Sequence, residues 1–147
     1  MRILVDTNLL LRAIQTNHPL FAQAAGAISA LVRRNDSLYF SPQNIIEFWN
    51  VATRPVDRNG FGLSPDQVLN EIAGFERSLF LLPEVPEIYT AWKVIVRINK
   101  VQGVKVHDAR LVAIVTVYSI DALLTFNTTD FARFANITTI HPSSFSS

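Results

Sequence analysis

The chain has 147 residues, 49% of them hydrophobic and 17% charged, with 13 Lys and Arg against 12 Asp and Glu. That length fits one domain over residues 1–147, the apolar content excludes a disordered chain, and a formal charge of +1 confines any nucleic-acid site to a local patch. The absence of cysteine removes disulfides, thiolate zinc sites and a cysteine nucleophile, and fits a reducing, cytoplasmic location.

The sequence opens MRILVDTNLL. Ile3-Leu4-Val5 reads as a short strand buried on both faces, the kind found in parallel sheets, and it ends on Asp6. Asn8 to Gln15 and Pro19 to Arg34 carry apolar residues at helical spacing, among them Phe21, Ala24, Ala25, Ile28, Leu31 and Val32. Leu38-Tyr39-Phe40 is a second strand. Ser41-Pro42 supplies an N-cap and a first-position proline for a helix that reaches about Arg54, before Pro55. Residues 56 to 62, VDRNGFG, form a turn-rich loop, and Ser64-Pro65 repeats the cap for a helix through Ser78.

Leu79 to Leu82 reads as a strand closed by Pro83, and Pro86 begins a helix running to about Val101. Val104 to Val106 lead into HDARLVAIVTVYS, a helix so uniformly apolar that it should be nearly enclosed. Ala122 to Leu124 make another strand, Thr128 to Phe134 a short helical turn, and Ile137 to Ile140 a last strand before a polar tail. This alternation predicts a three-layer α/β/α fold around a central, mostly parallel sheet of four to five strands. No run reaches the ~18 apolar residues of a transmembrane helix, so no membrane partner is expected.

In open α/β sheets ligands bind beyond the carboxyl ends of the strands, which singles out acids placed after strands. Asp6 ends the first strand, Glu47 interrupts the apolar Ile45-Ile46-Glu47-Phe48-Trp49, Asp108 starts the enclosed helix, and Asp130 follows the Leu123-Leu124-Thr125 strand. Each has an ordinary explanation: Asp6 and Asp108 as helix caps, Glu47 at a solvated helix edge, Asp130 as a cap or surface acid. Together they would repel one another unless a cation balances them. Oxygen donors suit Mg²⁺ or Mn²⁺, whereas zinc would ask for His or Cys. The histidines, His18, His107 and His141, are scattered.

Asp6-Thr7-Asn8, the lone Glu47, Asp108-Ala109-Arg110-Leu111-Val112-Ala113 and Leu124-Thr125-Phe126-Asn127-Thr128-Thr129-Asp130-Phe131 resemble the PIN domain, and within it VapC-type toxins. The resemblance runs from Met1 to about Ile140. It implies a metal-dependent endoribonuclease, a hydrolase of phosphodiester bonds, with catalytic and metal-binding roles carried onto Asp6, Glu47, Asp108 and Asp130. Asn127 stands where the family's terminal motif often has an acid, so Asn127 or Asp130 completes the set. Asp6 and Asp108 would ligate directly, Glu47 would bind a second ion or orient water, and Thr7, Asn8 and Thr125 would fix the carboxylates by hydrogen bonds. Such relatives usually dimerise and are silenced by a small antitoxin.

RNA needs cations near the acids, and Arg12 and Arg110 are placed to reach phosphate. Lys93, Arg97 and Lys100, with Lys105 beyond, form a helix stripe of the kind that usually marks a solvated face. Phe48, Trp49, Phe75 and Trp92 could serve interfaces, although core packing suits most of them. Other readings compete. Haloacid-dehalogenase-like phosphatases need a second acid where Asn8 stands, response-regulator receivers need an acidic pair near the start, and no GxSxG serine elbow exists. An RNA-processing nuclease that is no toxin, or an RNA- or protein-binding module without nuclease activity, remains the alternative.

Overall fold

A computed structural model describes residues 1–145. Five strands, β1 (Arg2–Val5), β2 (Ser37–Phe40), β3 (Phe80–Leu81), β4 (Ala122–Leu124) and β5 (Thr139–Ile140), form one sheet in the order β3-β2-β1-β4-β5, with every pairing parallel. The helices are α1 (Thr7–Ala13), α2 (Phe21–Arg33), α3 (Pro42–Thr53), α4 (Pro65–Ser78), α5 (Pro86–Ile98), α6 (Val106–Val117) and α7 (Thr128–Phe131). The three-layer α/β/α reading of the sequence therefore holds, with five strands.

The apolar triplet of β1 explains the layering. Side chains alternate across a strand, so Ile3 and Val5 join Leu9, Leu10, Ala24, Leu31, Phe48 and Ile72 on one face, while Leu4 joins Ile88, Ala113, Ile114 and Phe131 on the other. Helices α1 to α4 cover the first face and α5 to α7 the second. Phe48 is fully buried and meets Phe75 edge to face at 5.1 Å, so these aromatics are core. Both Ser-Pro starts are capping boxes, in which Ser41 is closed by Asn44 and Ser64 by Gln67.

Boundaries depart from the sequence reading at several element ends. Helix α5 stops at Ile98, because the Asn99 amide donates to the Ile95 carbonyl and Lys100 turns into the left-handed region at φ 50°. The Val104–Val106 segment is a 3₁₀ turn, Gly103–Lys105, so α6 begins at Val106 and Asp108 lies in its first turn without capping it. The short turn ends at Phe131, not Phe134, and the last strand keeps only Thr139 and Ile140. Likewise β3 retains two residues, both exposed at the sheet edge.

The loop after α3 owes its glycines to that helix end. A Cβ at Gly60 would lie 2.0 Å from the Arg54 carbonyl oxygen, and the Gly62 N–H donates to that same oxygen at 2.8 Å. The loop closes α3 and forms no phosphate cradle. Among the described residues no helix is long and apolar enough to cross a membrane.

Strand order reverses between β1 and β4: the chain runs outward through β2 and β3, then returns to the opposite side of β1. Such switch points leave a crevice beyond the strand ends. Asp6 follows β1 there, and Thr125 follows β4.

Candidate active site

Asp6 is 8% exposed. Its Oδ1 accepts the Thr7 N–H at 2.7 Å, so it does cap α1. The cap uses one oxygen only: Oδ2 accepts from the Thr125 hydroxyl at 2.7 Å and from the Asn8 amide at 3.3 Å. Asn8 also contacts Thr125 Oγ1 at 3.4 Å and accepts the Phe126 N–H at 3.4 Å, fastening α1 to the end of β4. Thr7, Asn8 and Thr125 thus all hydrogen-bond the Asp6 carboxylate. Burial pushes the Asp6 carboxyl up to about 6 against these hydrogen bonds, with the negative charges of Glu47 and Asp108 adding to the rise.

Glu47 sits on the half-buried edge of α3, one turn beyond the Asn44 that closes the helix cap. The Thr7 hydroxyl donates to its Oε1 at 3.4 Å. Burial raises this carboxyl also, opposed by a hydrogen bond from Gln43 and by the field of His107, with Asp108 pushing the other way. Asn44 is fully buried, and its amide donates to Thr7 Oγ1 at 3.2 Å while its own Oδ1 accepts from Ser41. Gln43 donates to the His107 carbonyl at 3.0 Å. These two amides, absent from the sequence reading, join α3 to α1 and to α6. The signal was available only as polar residues in a helix start, where capping accounts for them.

Asp108 faces the same crevice from α6, and burial raises its carboxyl while Lys105 lowers it. Lys105 Nζ lies 3.7 Å from Asp108 Oδ2 and 3.1 Å from Asp130 Oδ1, bridging α6 and α7. Asp130 is thereby drawn toward Asp108. Asn127 is exposed, and its N–H is used on Thr125 Oγ1 at 3.0 Å. Of the two residues open to the fourth place, Asp130 is the one electrostatically coupled to Asp108.

The crevice thus gathers oxygen donors from α1, α3, α6 and α7, the donor chemistry of a magnesium or manganese site and not of zinc. A cation there would favour the ionised forms of Asp6, Glu47 and Asp108, which burial disfavours to differing degrees. Among the described residues, however, no three acidic or histidine side chains are drawn together closely enough to hold an ion as they stand; an ammonium, not a metal, joins Asp108 to Asp130. The two arginines singled out for phosphate have protein partners: Arg12 donates to Gln15, and Arg110 donates to Gln43 at 3.1 Å and pairs with Glu84. At the start of α6, a cavity of about 320 Å³ is lined by Tyr89, Trp92, His107 and Arg110.

The fold has counterparts among solved structures. The chain is similar to VapBC2 from Rickettsia felis bound to a promoter DNA fragment, with TM-score 0.71 and 14% identity over 96% of this chain and 98% of that one. It is similar to DNA-bound VapBC from Salmonella typhimurium, with TM-score 0.71 and 16% identity over 97% and 98%. VapC20 of Mycobacterium tuberculosis, a sarcin–ricin loop cleaving toxin, gives TM-score 0.59 and 16% identity over 82% and 86%. At such identities the likeness is one of fold. No curated protein sequence matches the chain. The sequence model described as the PIN domain matches residues 3–137, from the first strand through the turn that carries Asp130, and the chain belongs to the PIN domain family.

Proposed function

We propose that this protein is a metal-dependent endoribonuclease acting as the toxin of a toxin–antitoxin pair, with Asp6, Glu47, Asp108 and Asp130 as its metal-binding and catalytic acids. The observation that supports it best is one of placement: Asp6, Glu47 and Asp108 come from three separate elements to one crevice, where burial holds all three above their ordinary range and Asp6 also feels the charges of the other two. Desolvated carboxyls grouped in this way are what a divalent cation stabilises in the ionised form.

Asp6 and Asp108 would hold Mg²⁺ or Mn²⁺ directly. A divalent ion bound there supplies an acidified water and neutralises the negative charge that gathers on a phosphodiester under attack. Thr125, Asn8 and the Thr7 N–H hold the Asp6 oxygens in place by their hydrogen bonds. Glu47, steadied by the Thr7 hydroxyl, orients the attacking water and takes its proton. Oxygen then bonds to phosphorus, the bond to the leaving ribose oxygen breaks, and that oxygen is protonated from solvent. Tyr89 and Trp92, lining the cavity at the start of α6, offer aromatic faces for unpaired bases of the substrate.

The similar structures are VapBC complexes, which supports a small antitoxin protein as partner; the homodimer belongs to the proposal through the likeness to VapC-type toxins alone. Exposed Ile46, Phe80 and Leu81 line an apolar groove of about 630 Å³ suited to such contacts.

Incubating the purified protein with structured and unstructured RNAs, with Mg²⁺, Mn²⁺ or chelator, tests the activity. Cleavage is expected with either ion and none with chelator. Cleavage that survives the chelator rejects the metal role, and RNA binding without cleavage of any RNA favours a binding module.

A further inference from the structure

The most unusual contact in the crevice is made by a cation of the chain itself. Among the described residues, Lys105 alone of the Lys and Arg side chains forms ion pairs with the candidate acids, and it pairs with two of them. The other ion pairs lie elsewhere, at Asp36 and between Arg110 and Glu84. An ammonium is a compact point charge with three donors, able to satisfy two carboxylates at once. Asp108 and Asp130, which would otherwise repel, are joined by it.

Its attachment leaves it free to depart. Lys105 ends the 3₁₀ turn Gly103–Lys105, precedes α6, and makes no side-chain cap bond. Its side chain is 43% exposed and ends a flexible stem. Gly103, two residues earlier, has φ +60 and open space where a Cβ would be. The ammonium's ion-pair partners are the two acids, and the side chain is open to solvent over much of its surface.

We propose that Lys105 is an internal counter-ion that occupies the acidic crevice in the metal-free protein and competes with the divalent ion for Asp108 and Asp130. This rests on reading the crevice as a metal site and adds what governs its occupancy. While Lys105 bridges those two acids, their oxygens are turned to the ammonium. When the side chain swings toward solvent, the oxygens are released, and the ion inherits the charge balance. Lys105 therefore sets a threshold: the site fills only when the divalent ion concentration exceeds what an attached cation can outcompete.

The test is Mn²⁺ binding, read by the electron paramagnetic resonance signal of the free ion, on wild-type protein and on Lys105→Met, Lys105→Gln and Lys105→Arg. Both neutral variants are expected to bind Mn²⁺ on the order of tenfold more tightly than wild type, whereas Lys105→Arg stays within a few-fold of it. Two neutral variants guard against one that folds poorly, and each is checked by its circular dichroism melt without metal. Wild-type and neutral variants binding Mn²⁺ equally, or the variants binding it more weakly, overturns the counter-ion role while leaving the metal site intact. No Mn²⁺ binding by any of the four proteins overturns both.

Discussion

Asp6→Asn is expected to lower RNA cleavage by at least about a thousandfold, equivalent to about 4 kcal/mol of transition-state stabilisation, while raising the stability of the metal-free protein. The two effects share one cause. Asparagine matches the carboxyl in shape but offers an ion no charge, so the proposed site loses one of its two direct anionic ligands. It also removes a buried negative charge from beside Glu47 and Asp108. Burial already disfavours the ionised Asp6 at neutral pH, so its neutral analogue should stabilise the fold by about 1–3 kcal/mol, less what is lost because the amide can serve only some of the bonds from Thr7, Asn8 and Thr125. Cleavage assays and a thermal melt with chelator measure both. Lost cleavage with an equal loss of stability would mark Asp6 as a structural cap only.

The second large effect is a dependence on pH that reverses when metal is added. Asp6 has an ordinary value of 3.8 and is pushed up to about 6 in the folded chain. A raised folded value means that its contribution to stability is fully present below 3.8 and is lost as pH rises through about 6. Without metal, lowering the pH from 7.5 to 5 is expected to recover about 1–2 kcal/mol of stability from this residue. Glu47 and Asp108 are shifted the same way by burial and reinforce the trend. A bound divalent ion favours the ionised carboxylates, so stabilisation by Mg²⁺ should be large at pH 7.5 and fade as pH falls through 6. Urea denaturation at the two pH values, with and without Mg²⁺, checks the sign. Equal stabilisation by Mg²⁺ at both would mean that these acids do not bind it.

Much of the fold is legible because its signals are local. The Ile3-Leu4-Val5 triplet reveals a strand covered on both faces, and the Ser-Pro pairs mark helix starts through chemistry that needs no tertiary context. The uniformly apolar Leu111 to Val115 stretch of α6 is buried as its composition requires. Short strands are different. With only two residues, Phe80–Leu81 and Thr139–Ile140 are strands because β2 and β4 offer them partners, and no periodicity exists in two positions.

The acids are legible for a reason that also limits the reading. A charge directly after a buried strand is conspicuous, so Asp6 stands out, and a carboxylate inside Ile45 to Trp49 is out of place enough to find Glu47. Hydrogen-bonding amides are not conspicuous: Asn44 closes a helix cap and supports Thr7 with the same side chain, and only the first role has a sequence signature. Lys105 is hidden more completely. Along the sequence it extends the basic residues of α5, and only the 3₁₀ turn that ends in it swings its ammonium between Asp108 and Asp130.

We propose that one divalent ion, shared by carboxylates that the fold brings from separate elements, joins these observations. The most direct measurement is anomalous diffraction from crystals of the protein soaked in Mn²⁺ at pH 7.5. A manganese peak is expected in ligand contact with Asp6 and Asp108, with the Lys105 side chain displaced toward solvent. A peak that touches neither acid, or a crevice without manganese at saturating concentration while Lys105 keeps both ion pairs, would contradict the shared-ion site.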